Sequence, residues 1–123
     1  MPDVNVHGVR LSYIERGSGG ESVVFSHSYL LDHRHFEPQI AALEGRFRVL
    51  AYDHRDHGGS ERMKEPYDME DIYEDGVGFL ETVCGGPVHW VGLSTGGFVG
   101  VTWRWRVVDE APRATRRSTD KGT

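Results

Sequence analysis

Short continuous or alternating apolar runs separate stretches in which apolar residues return every three or four positions, and this exchange of rhythm organises the first hundred residues. Val4 to Val6 and Leu11 to Glu15 are β-prone runs joined by His7-Gly8-Val9, the pattern of a hairpin at a sheet edge. Gly17-Ser18-Gly19-Gly20 is a flexible link, and Val23-Val24-Phe25 is a continuous apolar run of the kind found in strands buried on both faces. Phe36, Ile40, Leu43 and Phe47 then recur at helical spacing, with Pro38 in the first turn and Gly45 at the stop, which predicts a helix from about His35 to Glu44. Arg48 to Tyr52 reads as the next buried strand. Met69, Ile72, Tyr73, Val77, Leu80 and Val83 mark a second amphipathic helix, starting near Tyr67 or Asp68 and ended by Gly85-Gly86-Pro87. Val88 to Val91 is a further core strand, closing at Gly92.

Strands alternating with helices specify βαβ units with right-handed crossovers, so the expected fold is α/β: a mainly parallel sheet with an N-terminal antiparallel hairpin. Ligands bind such sheets at the carboxyl ends of the strands, where the loops His27 to His33 and Ser94 to Gly97 fall. A length of 123 residues allows one domain. Apolar residues at 37% and charged residues at 27% are polar for an enzyme, yet aromatics and valines are too frequent for a disordered chain. Cys84 is the single cysteine; it excludes an internal disulfide framework and a Cys-based zinc site, reads as a half-buried residue near a helix end, and makes a reducing cytoplasm the expected location. Asp3, Arg10, Glu15 and Arg16 interrupt the first twenty residues, so neither a signal peptide nor a membrane span is expected, and no membrane partner.

The net charge of −5 hides an asymmetry. Residues 1–100 carry 8 basic and 16 acidic side chains, whereas residues 101–123 carry 6 and 3. A basic tail can bind nucleic acid, and Trp103-Arg104-Trp105-Arg106 could stack on bases, but no basic groove or fold signature accompanies them; no nucleic-acid partner is expected.

Gly92-Leu93-Ser94-Thr95-Gly96 carries the chemistry. A serine hydroxyl is a poor nucleophile unless a base takes its proton and donors stabilise the oxyanion formed on attack at a carbonyl. A very tight strand-to-helix turn exposes the Ser94 Oγ, and Gly92 and Gly96 carry no side chains to clash in it. A bare G-x-S-x-G arises readily in a chain with 16 glycines, but here it follows Val88-His89-Trp90-Val91 and precedes Gly97-Phe98-Val99-Gly100, the strand-turn-helix setting the motif needs. A helix opening at Thr95 also aims backbone N–H groups at the site.

Taken with Phe25-Ser26-His27-Ser28-Tyr29 and with Tyr52-Asp53-His54-Arg55-Asp56-His57-Gly58-Gly59-Ser60, in that order, the chain resembles the N-terminal part of the α/β-hydrolase superfamily over residues 4–100. The resemblance implies a serine hydrolase of the esterase or lactonase kind with no cofactor, acting on a small-molecule acyl substrate. It assigns Ser94 as nucleophile and the backbone N–H groups of Tyr29 and Thr95 as oxyanion donors. His27, Ser28, Asp53, Arg55, Ser60, Gly92 and Gly96 become supports of the loops. Ser28 stands where the family usually has Gly, and Asp56 replaces the Gly of the Arg-Gly loop. Serine at the elbow argues against dehalogenase or epoxide-hydrolase chemistry, which uses Asp there; C–C bond hydrolysis and cofactor-free perhydrolysis stay open. The family order is nucleophile, acid, histidine, whereas all seven histidines here precede Ser94.

Asp32-His33-Arg34-His35 and Asp53-His54-Arg55-Asp56-His57 invite a metal reading, but the spacing does not match H-x-H-x-D-H and solvated loop histidines are the simpler account; no metal is expected. After Gly100 the helical pattern breaks, Trp103 to Arg106 alternates with period two, and Pro112 to Thr123 has no periodicity. Residues 101–123 are therefore expected to be a basic tail foreign to the fold, disordered or read out of frame, on a chain truncated after the elbow. On that view the acid and base are missing, hydrolysis by the chain alone is slight, and the alternative is a non-catalytic fragment or interaction module. The nucleophile strand would also become an exposed edge, inviting self-association.

Overall fold

The computed structural model describes residues 1–96, 99 and 115–118, the last four by their backbone. Among the described residues six strands form one sheet in the order β1-β2-β4-β3-β5-β6. β1 (Asp3–Val6) and β2 (Val9–Arg16) make the expected hairpin, with His7 at φ +51 and Gly8 at φ +87, the paired positive values of a tight turn that matches strand twist. β2 also pairs antiparallel with β4 (Arg48–Tyr52). β3 (Ser22–Ser26) lies parallel between β4 and β5 (Val88–Gly92). The chain leaves β3 to one side to form β4 and crosses back to form β5 on the other. The carboxyl ends of β3 and β5 are therefore neighbours at the point where strand order reverses.

Alternate residues of the central strands point to opposite faces and enter two cores. Val23, Phe25, Val49 and Ala51 pack with Phe36 and Ile40 under α1 (Glu37–Leu43). Val24, Leu50, Tyr52 and Trp90 pack with Ile72, Tyr73, Val77 and Phe79 of α2 (Met69–Phe79). Each fully buried large side chain contributes about 1.5–3 kcal/mol, so the sheet is held from both sides. The first helix is shorter than its apolar spacing suggested: His33–Phe36 is a separate 3-10 turn capped by the Asp32 carboxylate, and α1 proper starts beside Pro38. α2 opens with a reciprocal capping box between Asp68 and Asp71 and widens into a π turn (Leu80–Cys84) that Gly85, at φ +69, terminates.

The free edge expected on β5 is not there. β6 (Thr115–Ser118) runs parallel along His89 to Gly92 and takes up the backbone groups that an edge strand would leave unpaired. The rest of the segment 101–123, including Trp103 to Arg106, lies outside the described residues, as do Gly97, Phe98 and Gly100 of the helix expected after Ser94. Among the described residues no helix is long and apolar enough to cross a membrane.

Candidate active site

β5 ends at Gly92, which is buried and paired with Ser26 of β3, and the chain turns within two residues. Leu93 N–H donates to the Ser26 carbonyl at 3.1 Å, and Thr95 and Gly96 are already helical. Between them Ser94 is exposed at φ +56, a left-handed conformation that a side chain resists. The turn is closed from both sides: the Trp90 indole N–H donates to the Gly96 carbonyl at 2.9 Å, and a Cβ on Gly96 would collide with the Ser26 carbonyl. Only glycine at position 96 lets the elbow pass this close to β3.

The loop after β3 faces it. His27 is buried, and its Nε2 accepts the backbone N–H of His54 at 2.9 Å, so its ring proton sits on Nδ1 and donates to the Ser28 carbonyl at 2.7 Å. Burial pulls this imidazole down to about 4, against the opposing pull of the Ser28 bond. Ser28 to Leu31 is a turn closed by Leu31 N–H on the Ser28 carbonyl at 3.2 Å. The positive φ in that turn belongs to Leu30, at +69, so Ser28 carries its Cβ in the place of glycine without left-handed strain. Tyr29 and Leu30 are exposed.

The loop after β4 is the brace. Asp53 is fully buried; its Oδ1 accepts the backbone N–H and the Nδ1 of His33, both at 2.8 Å, and its Oδ2 accepts Gly59 N–H at 3.0 Å. A Cβ on Gly58 would strike this carboxylate. Ser60 Oγ donates to the Asp53 carbonyl at 2.6 Å and accepts Ser12 N–H at 2.8 Å, tying the loop to β2. Arg55 forms a bidentate pair with Asp75 of α2, at 2.7 and 2.8 Å. Burial pushes the Asp75 carboxyl up, and the guanidinium recovers part of that. Asp56, in the place of the family glycine, does adopt a positive φ of +68 and anchors itself by accepting Met63 N–H at 2.7 Å.

Three side chains that the sequence reading left without roles complete the picture. His57 accepts Leu30 N–H through Nε2 at 3.0 Å, and its Nδ1 meets the Arg55 carbonyl at 2.8 Å. His54 is buried, with Nε2 on the His27 carbonyl at 3.0 Å; its Nδ1 has no hydrogen-bond partner among the described residues. Burial and the neighbouring His27 hold its imidazole well below the usual range. Tyr67 joins Tyr29, His54, His57 and Thr95 around a cavity of about 220 Å³ whose apolar wall is Met69 and Ile72. Their signal in the sequence was residue type alone, since nothing local says that positions 30 and 57 meet.

Asp32, His33 and Asp53 hold ligand-type atoms within 4.8 Å of one another. Asp32 is engaged by Arg34, and the other two by each other and by backbone N–H groups. These bonds make the group a hydrogen-bonded loop anchor. Cys84 is no rival nucleophile, because burial pushes its thiol up to about 11.

Comparison with known proteins agrees with this architecture. The model of the alpha/beta hydrolase family matches residues 7–117, running past Gly100. The 3-oxoadipate enol-lactonase 1 of Acinetobacter baylyi is 35% identical over 92 residues, covering 75% of this chain and 33% of that protein. The 2-(acetamidomethylene)succinate hydrolase of Mesorhizobium japonicum is 32% identical over 99 residues, covering 80% and 35%. The crystal structure of the enol-lactonase from Burkholderia xenovorans superposes with a TM-score of 0.82 at 37% identity, over 92% of this chain and 45% of that one. The chain thus spans about a third of the length of these curated relatives. With the elbow, the two facing loops and the sheet order in agreement, the chain belongs to the alpha/beta hydrolase family.

Proposed function

We propose that Ser94 is the nucleophile of a hydrolase acting on a small carboxylic ester or lactone. The observation that carries this is the exposed serine at φ +56 on the reversal point of the sheet, held there by Trp90 and by the absence of a Cβ at Gly96. Strain of this kind persists where the surrounding structure over-determines it and aims a group. Relatives named enol-lactonase and succinate-derivative hydrolase support carbonyl substrates of small size.

In this reading Ser94 Oγ attacks the carbonyl carbon as a general base takes its proton, and the carbonyl π electrons move to oxygen. That oxyanion sits against the N–H groups of Thr95, one residue past the nucleophile, and of Tyr29 on the facing loop. Collapse expels the alkoxide, which takes that proton back from the base, and leaves an acyl-serine that water then hydrolyses. The base is none of His27, His54 and His57: the first and last have both ring nitrogens committed to backbone groups, and His54 is buried on the Ser26 side. Family order places acid and base after the nucleophile, and acylation by the 123 residues alone is accordingly slow.

A fluorophosphonate probe tests both statements. Peptide mapping is expected to find the label on Ser94 and to lose it in Ser94→Ala. Label on another residue, or undiminished labelling of Ser94→Ala, would end the assignment. Labelling of Ser94 in the 123-residue chain at the rate of a complete serine hydrolase would instead overturn the claim that the base lies elsewhere.

A further inference from the structure

We infer that His57 is the positioning residue of the oxyanion hole, acting through the Leu30 amide to hold the turn that presents the Tyr29 N–H. This rests on the assignment of Tyr29 above.

Leu30 is the third residue of the Ser28 to Leu31 turn and has φ +69, the mark of a type II turn, in which that position favours glycine. A leucine there must be held. Its own side chain does not do so, because it is 77% exposed. What remains is the peptide between Tyr29 and Leu30. Type I and type II turns differ by a flip of this central peptide, and its N–H is the group that His57 Nε2 accepts at 3.0 Å. Tyr29 and Leu30 are both exposed, so this bond is what ties the turn to the loop after β4, and losing the acceptor frees the turn, and the Tyr29 N–H with it, to move.

His57 is itself built to accept. Nδ1 lies 2.8 Å from the Arg55 carbonyl, which only accepts, so the proton of the neutral ring is on Nδ1 and the Nε2 lone pair is free for Leu30. Arg55 is immobilised by its bidentate bond to the buried Asp75 on α2. The ring packs edge-on to Tyr29 at 5.5 Å and against His27 at 5.2 Å, which fixes its plane. A continuous chain of fixed groups therefore runs from α2 through Arg55 and His57 to the turn.

Asparagine and glutamine separate the two ring nitrogens. In His57→Gln the amide oxygen can take the place of Nε2 and still accept from Leu30; in His57→Asn the amide reaches only the Nδ1 position. Both variants lose the ring packing equally. The experiment measures fluorophosphonate acylation of Ser94 and hydrolysis of p-nitrophenyl acetate by the 123-residue chain, each variant relative to wild type, with urea unfolding as control. Expected is a fall of about 10²-fold in acylation rate for His57→Asn, the scale of losing one oxyanion donor. The loss is expected in kcat with KM nearly unchanged, and within about 5-fold of wild type for His57→Gln. Equal rates in the two single variants at equal stability overturn the inference. Undiminished labelling of Ser94→Ala in the same series would instead remove the underlying assignment of the site.

Discussion

His27 Nε2 accepts the backbone N–H of His54 at 2.9 Å, so the loop after β3 hangs on the loop after β4 by an unprotonated ring nitrogen. Protonating that nitrogen removes the acceptor. A histidine in the unfolded chain takes its proton near pH ~6.5, whereas folded His27 takes it at about 4. Between these values the unfolded state binds more protons. Stability is therefore complete above about pH 6.5 and declines as the pH falls towards 4, by on the order of 3 kcal/mol from His27. His54 acts in the same direction, and Asp75, whose carboxyl is pushed up, acts in the opposite one. Urea midpoints at pH 7, 6 and 5 are expected to fall in that order, with a flatter profile in His27→Gln. Equal midpoints at pH 7 and 5 would contradict the role of the two rings.

Gly96→Ala places a methyl group against the Ser26 backbone carbonyl, with the Ser26 Oγ also close, so the backbone itself has to give. A destabilisation of about 1–3 kcal/mol is expected, together with slower labelling of Ser94. Gly86→Ala serves as the control, since a Cβ there meets nothing. A neutral Gly96→Ala would mean that the elbow does not approach β3 this closely.

Ser94→Gly relieves the left-handed strain at φ +56. Strain relief of about 1–2 kcal/mol, less the added freedom of an unfolded glycine, leaves a gain of about 0.5–1 kcal/mol. Ser94→Ala keeps the Cβ and is expected to match wild type within about 0.5 kcal/mol. Both lose the label. Thermal melts in which glycine is no more stable than alanine would show that the elbow carries no strain.

Asp75→Ala leaves the Arg55 guanidinium without its buried partner, at an expected cost of about 3–5 kcal/mol. Replacing both, as Arg55→Met with Asp75→Leu, is expected to recover most of that stability, because an apolar pair of similar volume needs no desolvation of charge. His57 also hangs on the Arg55 backbone, so Ser94 labelling is expected to stay slow in the double variant unless that carbonyl keeps its place. Denaturant titrations in which the double variant is no better than the single one would contradict this account of the pair.

The features legible in the sequence are those that a few adjacent residues determine. Apolar period separated strands from helices, Asp68 and Gly85 bounded α2 together with its π turn, and Gly92 to Gly96 marked the elbow, since period, capping and turn chemistry act within a few positions. Three motifs in order were enough to identify the family. What the fold decided lies between residues far apart in the chain. Leu30 meets His57, Arg55 meets Asp75 and His33 meets Asp53 because β3 and β4 are parallel neighbours and their carboxyl-end loops share one rim. Glycine was replaced at both Ser28 and Asp56, yet only Asp56 needs a positive φ, a difference set by the path of each loop. Thr115 to Ser118 had no apolar rhythm to reveal a strand; backbone groups left unpaired along β5 recruit it. Hydrogen bonding along a sheet needs only a neighbour within reach, and that is settled by the fold and not by the side chains of the segment that supplies it.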